Sequence, residues 1–302
     1  VQARHAKTRS HFSPSGFTEG ANSEVFEHVM TLDSSSAWQS ARRMVWANRD
    51  TLIAVAGVFF LLPELVKSVL PAPQLIPGMS IEKMSDAITL FYGDKPGLVA
   101  ALMLLTLPAL VGYLTLLAML LGRDRPTVGA AIMLAFRLLP GFFAALVLVA
   151  LALLVMLVAV LSILALAMPP TIAAFVALAV MVYPLTRVVL IGPEMVTRRL
   201  RNPLRAIAGG LASTRGQFAG LLLYFVPAAA VFVVVCGLVA IFVSPLLSHV
   251  PQDDVQRLIA QAIGAVLSAV GYTYFAAIIA STYDQLGPIT GAQGTISPSS
   301  PS

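Results

Sequence analysis

Long apolar runs separated by short polar breaks fill most of the chain, and they predict six membrane-spanning helices. These lie at about residues 51–70, 97–121, 141–167, 171–191, 219–247 and 255–283. Several of these windows exceed the roughly 18 apolar residues that mark a membrane-spanning helix. Spanning strands would alternate polar and apolar positions. Between Ala144 and Ala167 every position is apolar except Ser162, so the run is helical. The sixth span is the least apolar, with Gln256, Arg257 and Gln261 at its start.

Two segments are too short to cross and too patterned to be plain loops: PTVGAAIMLAFRLLPG (126–141) and NPLRAIAGGLASTRGQ (202–217). Each has proline at or near its start, a favoured place at a helix N-terminus. Both sit among arginines. They are expected to form amphipathic helices lying in the membrane interface. A shift of 75 residues aligns Gly141, Phe143, Ala144 and Leu146 with Gly216, Phe218, Ala219 and Leu221. An internal repeat is therefore expected, each unit being one interfacial helix followed by two spans. The fold class is an all-α polytopic transmembrane bundle with six spans and two interfacial helices. Residues 1–45 read as a polar, disordered N-terminal tail, 46–285 as the membrane domain, and 286–302 as a disordered C-terminal tail rich in Gly, Ser and Pro. The first 29 residues lack the apolar core of a secretory signal.

Composition agrees. Of the 302 residues, 58% are hydrophobic and 11% charged, against roughly 25% charged in soluble domains. The placement of the charges adds orientation. If the N-terminus is cytoplasmic, the inner segments hold fifteen of the nineteen Lys and Arg residues, and the outer ones hold Lys67, Lys83, Lys95 and Arg257. The positive-inside rule then puts both termini in the cytoplasm.

Little in the chain suggests catalysis or metal binding. The single cysteine, Cys236, lies in an apolar run, and His5, His11, His28 and His249 fall in the tail or a loop. No metal and no cofactor is expected. The sequence has no GxSxG, HExxH or P-loop. Asp253 and Asp254 read as a solvated pair. The arginines lie beside membrane spans, and nucleic acid is not an expected partner.

The polar groups that remain are few. Glu64 and Lys67, three residues apart, share a helix face. They either pair within the membrane or each snorkel to water near the outer end, and the second reading is preferred. Arg187 and Glu194 could pair to close the inner end of the bundle, or could be ordinary interfacial anchors. Pro63, Pro108, Pro184 and Pro227 are candidate kinks. Tyr272, Tyr274 and Tyr283 line a polar path or form an interface belt. Residues 192–218, GPEMVTRRLRNPLRAIAGGLASTRGQF, hold five arginines and no lysine. Arg198, Arg199, Arg201 and Arg205 are candidate ligands for anionic lipid headgroups, worth about 1 kcal/mol for each basic residue at the surface.

The succession of TVG, RLLPGF, GPEMV and NPLRAIAGGLASTRGQF resembles the membrane domain found in some bacterial glycerophosphoryl diester phosphodiesterases and in related stand-alone membrane proteins. Glu194, Pro203, Ala206, Thr214, Arg215, Gly216 and Phe218 match its pattern. Gly209 and Gly210 stand near where that pattern has a serine and a bulky residue. The resemblance implies a bacterial cytoplasmic-membrane module without the catalytic barrel, which needs about 250 residues. The expectation is a non-enzymatic membrane protein that binds lipids or a partner. The alternatives are a small-molecule transporter and a membrane-embedded accessory subunit of a lipid-active enzyme.

Overall fold

The computed structural model describes residues 34–71, 73, 79–122, 126–214, 218–247 and 253–292. Among them every regular element is a helix, and six helices are long and apolar enough to cross a membrane. This is the make-up of a multi-pass membrane protein. The elements are α1 (Ser34–Ala47), α2 (Arg49–Ser68), α3 (Ile81–Gly93), α4 (Pro96–Leu121), α5 (Val128–Ala165), α6 (Pro170–Val188), α7 (Ile191–Arg198), α8 (Pro203–Ser213), α9 (Phe218–Leu247) and α10 (Asp253–Ala292). The predicted spans correspond to α2, α4, α5, α6 running on into α7, α9 and α10.

Proline placement explains the irregularities. In α2, Pro63 has no N–H to offer the carbonyl one turn back. The helix widens to a π-turn at Gly57–Leu61 just before it, and the Leu62 N–H reaches the carbonyl of Gly57 instead. In α4, Pro108 follows a break at Leu105.

The expectations differ from the structure in four places. Residues 126–141 do not form a separate interfacial helix. Val128–Ala165 is one continuous 38-residue helix with Pro140 inside it. At 1.5 Å per residue it is about 57 Å long, against ~30 Å of hydrocarbon. Roughly 18 residues therefore project beyond the bilayer core. Its buried residues, Ala131, Ala135, Leu138, Phe142 and Ala145, all fall in the first half. The repeat is thus unequal, because the second unit does have a separate short helix, α8.

The N-terminal boundary also moves. Residues 34–45 belong to α1, whose Ala41 is buried with Ala277 and Ile278 of α10. At the other end α10 continues through residues 286–292, expected to be tail. Residues 1–33 and 293–302 lie outside the described residues. Finally α3 was not expected, although Ser80 caps it by accepting from the Lys83 N–H at 3.5 Å.

The packing is concentrated at one end. The main core joins Leu114 and Leu117 of α4, the first half of α5, Leu190–Val196, Ala206 of α8, Leu221 of α9 and Ile279–Ala280 of α10. This is the end that bears Arg198 to Arg205, and it is called the arginine end below. The second half of α5 and most of α9 instead present exposed Leu, Val, Ile and Phe, as surfaces bathed in lipid must.

Candidate functional site: a buried glutamate beneath an arginine turn

The site begins where α6 stops. After Leu190 the chain turns into α7, with Pro193 in the first turn where its missing N–H costs nothing. Ile191–Val196 are all buried. Gly192 lets α7 press on α4, since a Cβ there would lie 2.8 Å from the Tyr113 ring.

Glu194 lies within this packed turn, only 1% exposed. A buried carboxylate is costly unless partnered. Its Oε2 accepts a hydrogen bond from the Tyr283 hydroxyl of α10 at 2.7 Å. Its Oε1 lies 2.8 Å from Arg198 Nε, one turn along α7. The arginine N–H is misaligned, so the contact is an ion pair and Oε1 has no hydrogen bond. Thr197 completes the cluster, its hydroxyl 2.9 Å from that of Tyr283. Against Oε1 lies Gly209 of α8, where a Cβ would come within 2.5 Å of that oxygen. Gly210 packs on Ile191 in the same way, with a Cβ 3.1 Å from its backbone nitrogen. The two glycines are what allow α8 to cover the glutamate.

Arg187 and Glu194 do not pair. Arg187 turns to the C-terminal end of α8, where Nη2 donates to the Leu211 carbonyl at 3.1 Å and Nε to the Thr214 hydroxyl at 3.2 Å. Its Nη1 donates to Tyr183 at 3.1 Å. The last carbonyls of a helix lack internal partners, so Arg187 caps α8 and also places its charge at the favourable end of the helix dipole. The two residues thus serve separate contacts on the same short helix.

Between α7 and α8 the chain makes a tight turn. Arg199 adopts the left-handed conformation, φ 51°, usually taken by glycine. The Leu200 N–H then returns to the Met195 carbonyl at 3.0 Å. The Asn202 side chain starts α8 by accepting from the N–H groups of Leu204 and Arg205 at 3.0 and 3.4 Å. Arg198, Arg199, Arg201 and Arg205 are all exposed. Arg198 is held by Nε alone, and its side chain remains 56% exposed.

At the far end of the bundle Glu64 and Lys67 form an ion pair at 2.9 Å, each about a quarter exposed. They face a cleft of about 240 Å³ that also receives Ser68, Gln261 and Ser268. The preferred expectation had each reaching water separately; instead they meet. Among the described residues no group of histidine, cysteine or acidic side chains could hold a metal ion.

Sequence reasoning missed Tyr283 as a partner of Glu194, because 89 residues separate them and no local pattern links them. The signal that was available is the pair Gly209–Gly210, two adjacent residues without side chains that mark close approach. No family model, curated protein or solved structure matches the chain.

Proposed function

We propose that this chain is a non-enzymatic multi-pass protein of the bacterial cytoplasmic membrane that binds anionic phospholipid headgroups through its arginine turn. One observation carries the reading. Four exposed arginines fall within eight residues, and one of them, Arg199, occupies a backbone conformation that costs a side chain about 1–2 kcal/mol. A turn serving only to connect two helices would be better made with glycine there. An arginine kept at such a position points to work done by its side chain. The guanidinium fork matches a pair of phosphate oxygens, which lysine does not. Glu194 holds Arg198 by Nε, and the arginine side chain remains 56% exposed. The resemblance to the membrane domain of the phosphodiesterases supports a membrane module of this kind.

Arg199→Gln with Arg201→Gln is expected to preserve the fold, since both side chains are exposed and neither makes an ion pair among the described residues, and to lower retention of phosphatidylglycerol by the purified protein. Native mass spectrometry reads this directly. Arg199→Gly separates structure from function: it is expected to raise stability by about 1 kcal/mol while lowering lipid retention. Retention unchanged in both variants would leave the arginines with an orienting role only.

The cytoplasmic location of the turn rests on the arginine asymmetry. Reporter fusions at residues 90 and 205 and at the C-terminus are expected to report outside, inside and inside. An external fusion at residue 205 would reverse the map.

The runner-up is a transporter for a small polar solute. It draws on the Glu64–Lys67 cleft, because ionisable groups within spans commonly mark solute paths. A role as accessory subunit of a lipid-active enzyme is compatible with the headgroup reading, and a co-purifying enzyme would extend it.

A further inference from the structure

The helix that stands where the sequence pattern predicted a tail carries a surface of its own. α1 holds both tryptophans of the chain, Trp38 and Trp46. They are 40% and 60% exposed. Arg42 stands one turn from each, so Trp38, Arg42 and Trp46 form a single stripe along the helix. Arg42 and Arg43 are exposed and make no ion pair among the described residues. The neighbouring face, Ala41 and Val45, is turned into the bundle. It packs with Leu120 of α4, Phe225 and Ala228 of α9, and Ala277 and Ile278 of α10.

These contacts show how α1 lies. Phe60 of α2 stacks on Tyr272 of α10 at 5.2 Å. If α1 simply prolonged α2, Ala41 would stand 19 residues of helix before Phe60, about 28 Å away along the axis. It meets α10 at Ala277 and Ile278 instead, only about 9 Å beyond Tyr272 along that helix. The chain bends at Asn48, where φ is −122° and ψ 19°, outside the helical region. α1 therefore lies across the arginine-end portions of three spans and does not rise upright from them. At 14 residues, about 21 Å, it is too short to cross the bilayer.

The charges fix the sign of the partner. Residues 34–50 hold Arg42, Arg43 and Arg49 against Asp50, and Arg49 pairs with Asp50 at 3.5 Å. Two further acidic groups at this end among the described residues are Glu194, paired with Arg198, and Asp284 on α10. The arginine turn outweighs both. Segment 1–33 lies outside the described residues and carries Glu19, Glu24, Glu27 and Asp33 against Arg4, Lys7 and Arg9. That balance is close to neutral and draws the arginines less than an anionic lipid surface does. Indole rings, apolar with one polar edge, favour the boundary between hydrocarbon and water. An arginine set between two of them is held at the depth of the lipid phosphates. A short helix with tryptophan and arginine on its free face is the pattern of one lying in the membrane interface.

We infer that α1 lies flat in the headgroup layer of the leaflet at the arginine end, with both indoles in the interface and Arg42 and Arg43 on the phosphates of anionic phospholipid. The surface shares its leaflet with the arginine turn but none of its residues.

The chain has no other tryptophan, so its indole fluorescence reports α1 alone. The test uses the full-length chain in vesicles, with phosphatidylglycerol or phosphatidylcholine carrying a quencher near the headgroup. Trp38→Phe and Trp46→Phe, both at exposed positions, leave one reporter each. The two tryptophans are expected at equal depth. An upright α1 would separate them by about 12 Å and leave Trp38 in water. Phosphatidylglycerol is expected to reach half-maximal quenching at a mole fraction about fivefold lower than phosphatidylcholine, the contribution of one basic residue near the surface. Arg42→Gln with Arg43→Gln leaves α1 followed only by the mutually paired Arg49 and Asp50, and is expected to abolish the preference. Arg199→Gln with Arg201→Gln is expected to keep it, so that failure here and failure of the arginine-turn reading are told apart. A Trp38 emission like that of indole in water would overturn the inference, as would equal quenching by the two lipids. So would a preference that survives the change of both arginines. Tryptophans shielded from both quenchers would overturn it too, and would assign the stripe to segment 1–33 or to a second copy of the chain.

Discussion

Arg198→Ala is expected to destabilise the protein by about 3 kcal/mol, more than Glu194→Gln in the residue it pairs with. The reason is an asymmetry of burial. Glu194 is 1% exposed, whereas the Arg198 side chain is 56% exposed. Removing the arginine leaves a carboxylate sealed among α7, α8 and α10 with the Tyr283 hydroxyl alone. Breaking a buried pair in this way costs about 3–5 kcal/mol, and the half-exposed, solvent-screened partner puts this case at the lower end. Glu194→Gln removes the charge from the buried side and leaves a cation that water can solvate. The amide oxygen still accepts from Tyr283, so its cost is about 1 kcal/mol, that of a weakened hydrogen bond. The double variant Glu194→Gln with Arg198→Ala is then expected to be more stable than Arg198→Ala by itself. Thermal midpoints of the four proteins in one detergent give the cycle. If Arg198→Ala unfolds no earlier than Glu194→Gln, the charge on Glu194 is not held by Arg198.

Gly141→Ala is expected to cost about 2 kcal/mol, although alanine is the better helix former by ~1 kcal/mol. Gly141 lies in the middle of α5, where a Cβ would run into the carbonyl oxygen of Arg201 and come within 3.3 Å of Met195 Cε. That oxygen belongs to the backbone of the arginine turn, itself constrained by Arg199 and by the Asn202 cap. It cannot swing aside as a side chain could, so the strain of overpacking, about 1–3 kcal/mol and occasionally more, is not relieved. Gly129, on the same helix, is the control: a Cβ there meets nothing within 4 Å. Gly129→Ala is expected to be neutral or to stabilise by up to ~1 kcal/mol. Denaturation of the two variants under matched conditions tests the pair. Equal stability would mean that α5 does not bear on the arginine turn through Gly141.

The spans were legible because the solvent dictates them. A helix surrounded by lipid must be apolar along its whole length, so composition alone finds it, and each predicted span has its helix. The arrangement at the arginine end was less legible, because it depends on neighbours distant in sequence. Arg187 and Glu194 lie seven residues apart, two turns of an unbroken helix. The break at Val189–Leu190 removes that register, so each side chain meets different partners. Pro140 has the look of a boundary in LLPGF, yet α5 runs through it, as proline-containing spans can where local adjustments satisfy the freed carbonyl. The glycines were visible as anomalies of pattern, but only the packing of α8 on Glu194 tells why a side chain is excluded. Tyr283, read as belt or path, turned out to be a hydrogen-bond donor to the buried carboxylate.

The uneven distribution of packing divides the chain into two regimes of sequence constraint. Around Gly141, Gly192, Gly209 and Glu194 each residue is fixed by the shape of a particular neighbour, and even one added methyl group has nowhere to go. Along the second half of α5, Val147, Leu151, Leu154 and Val158 face outward and answer only to lipid, which accepts any aliphatic group. There the chain can exchange valine, leucine and isoleucine freely. Its identity as this protein is written in the arginine end, and the rest is held to a composition more than to a sequence.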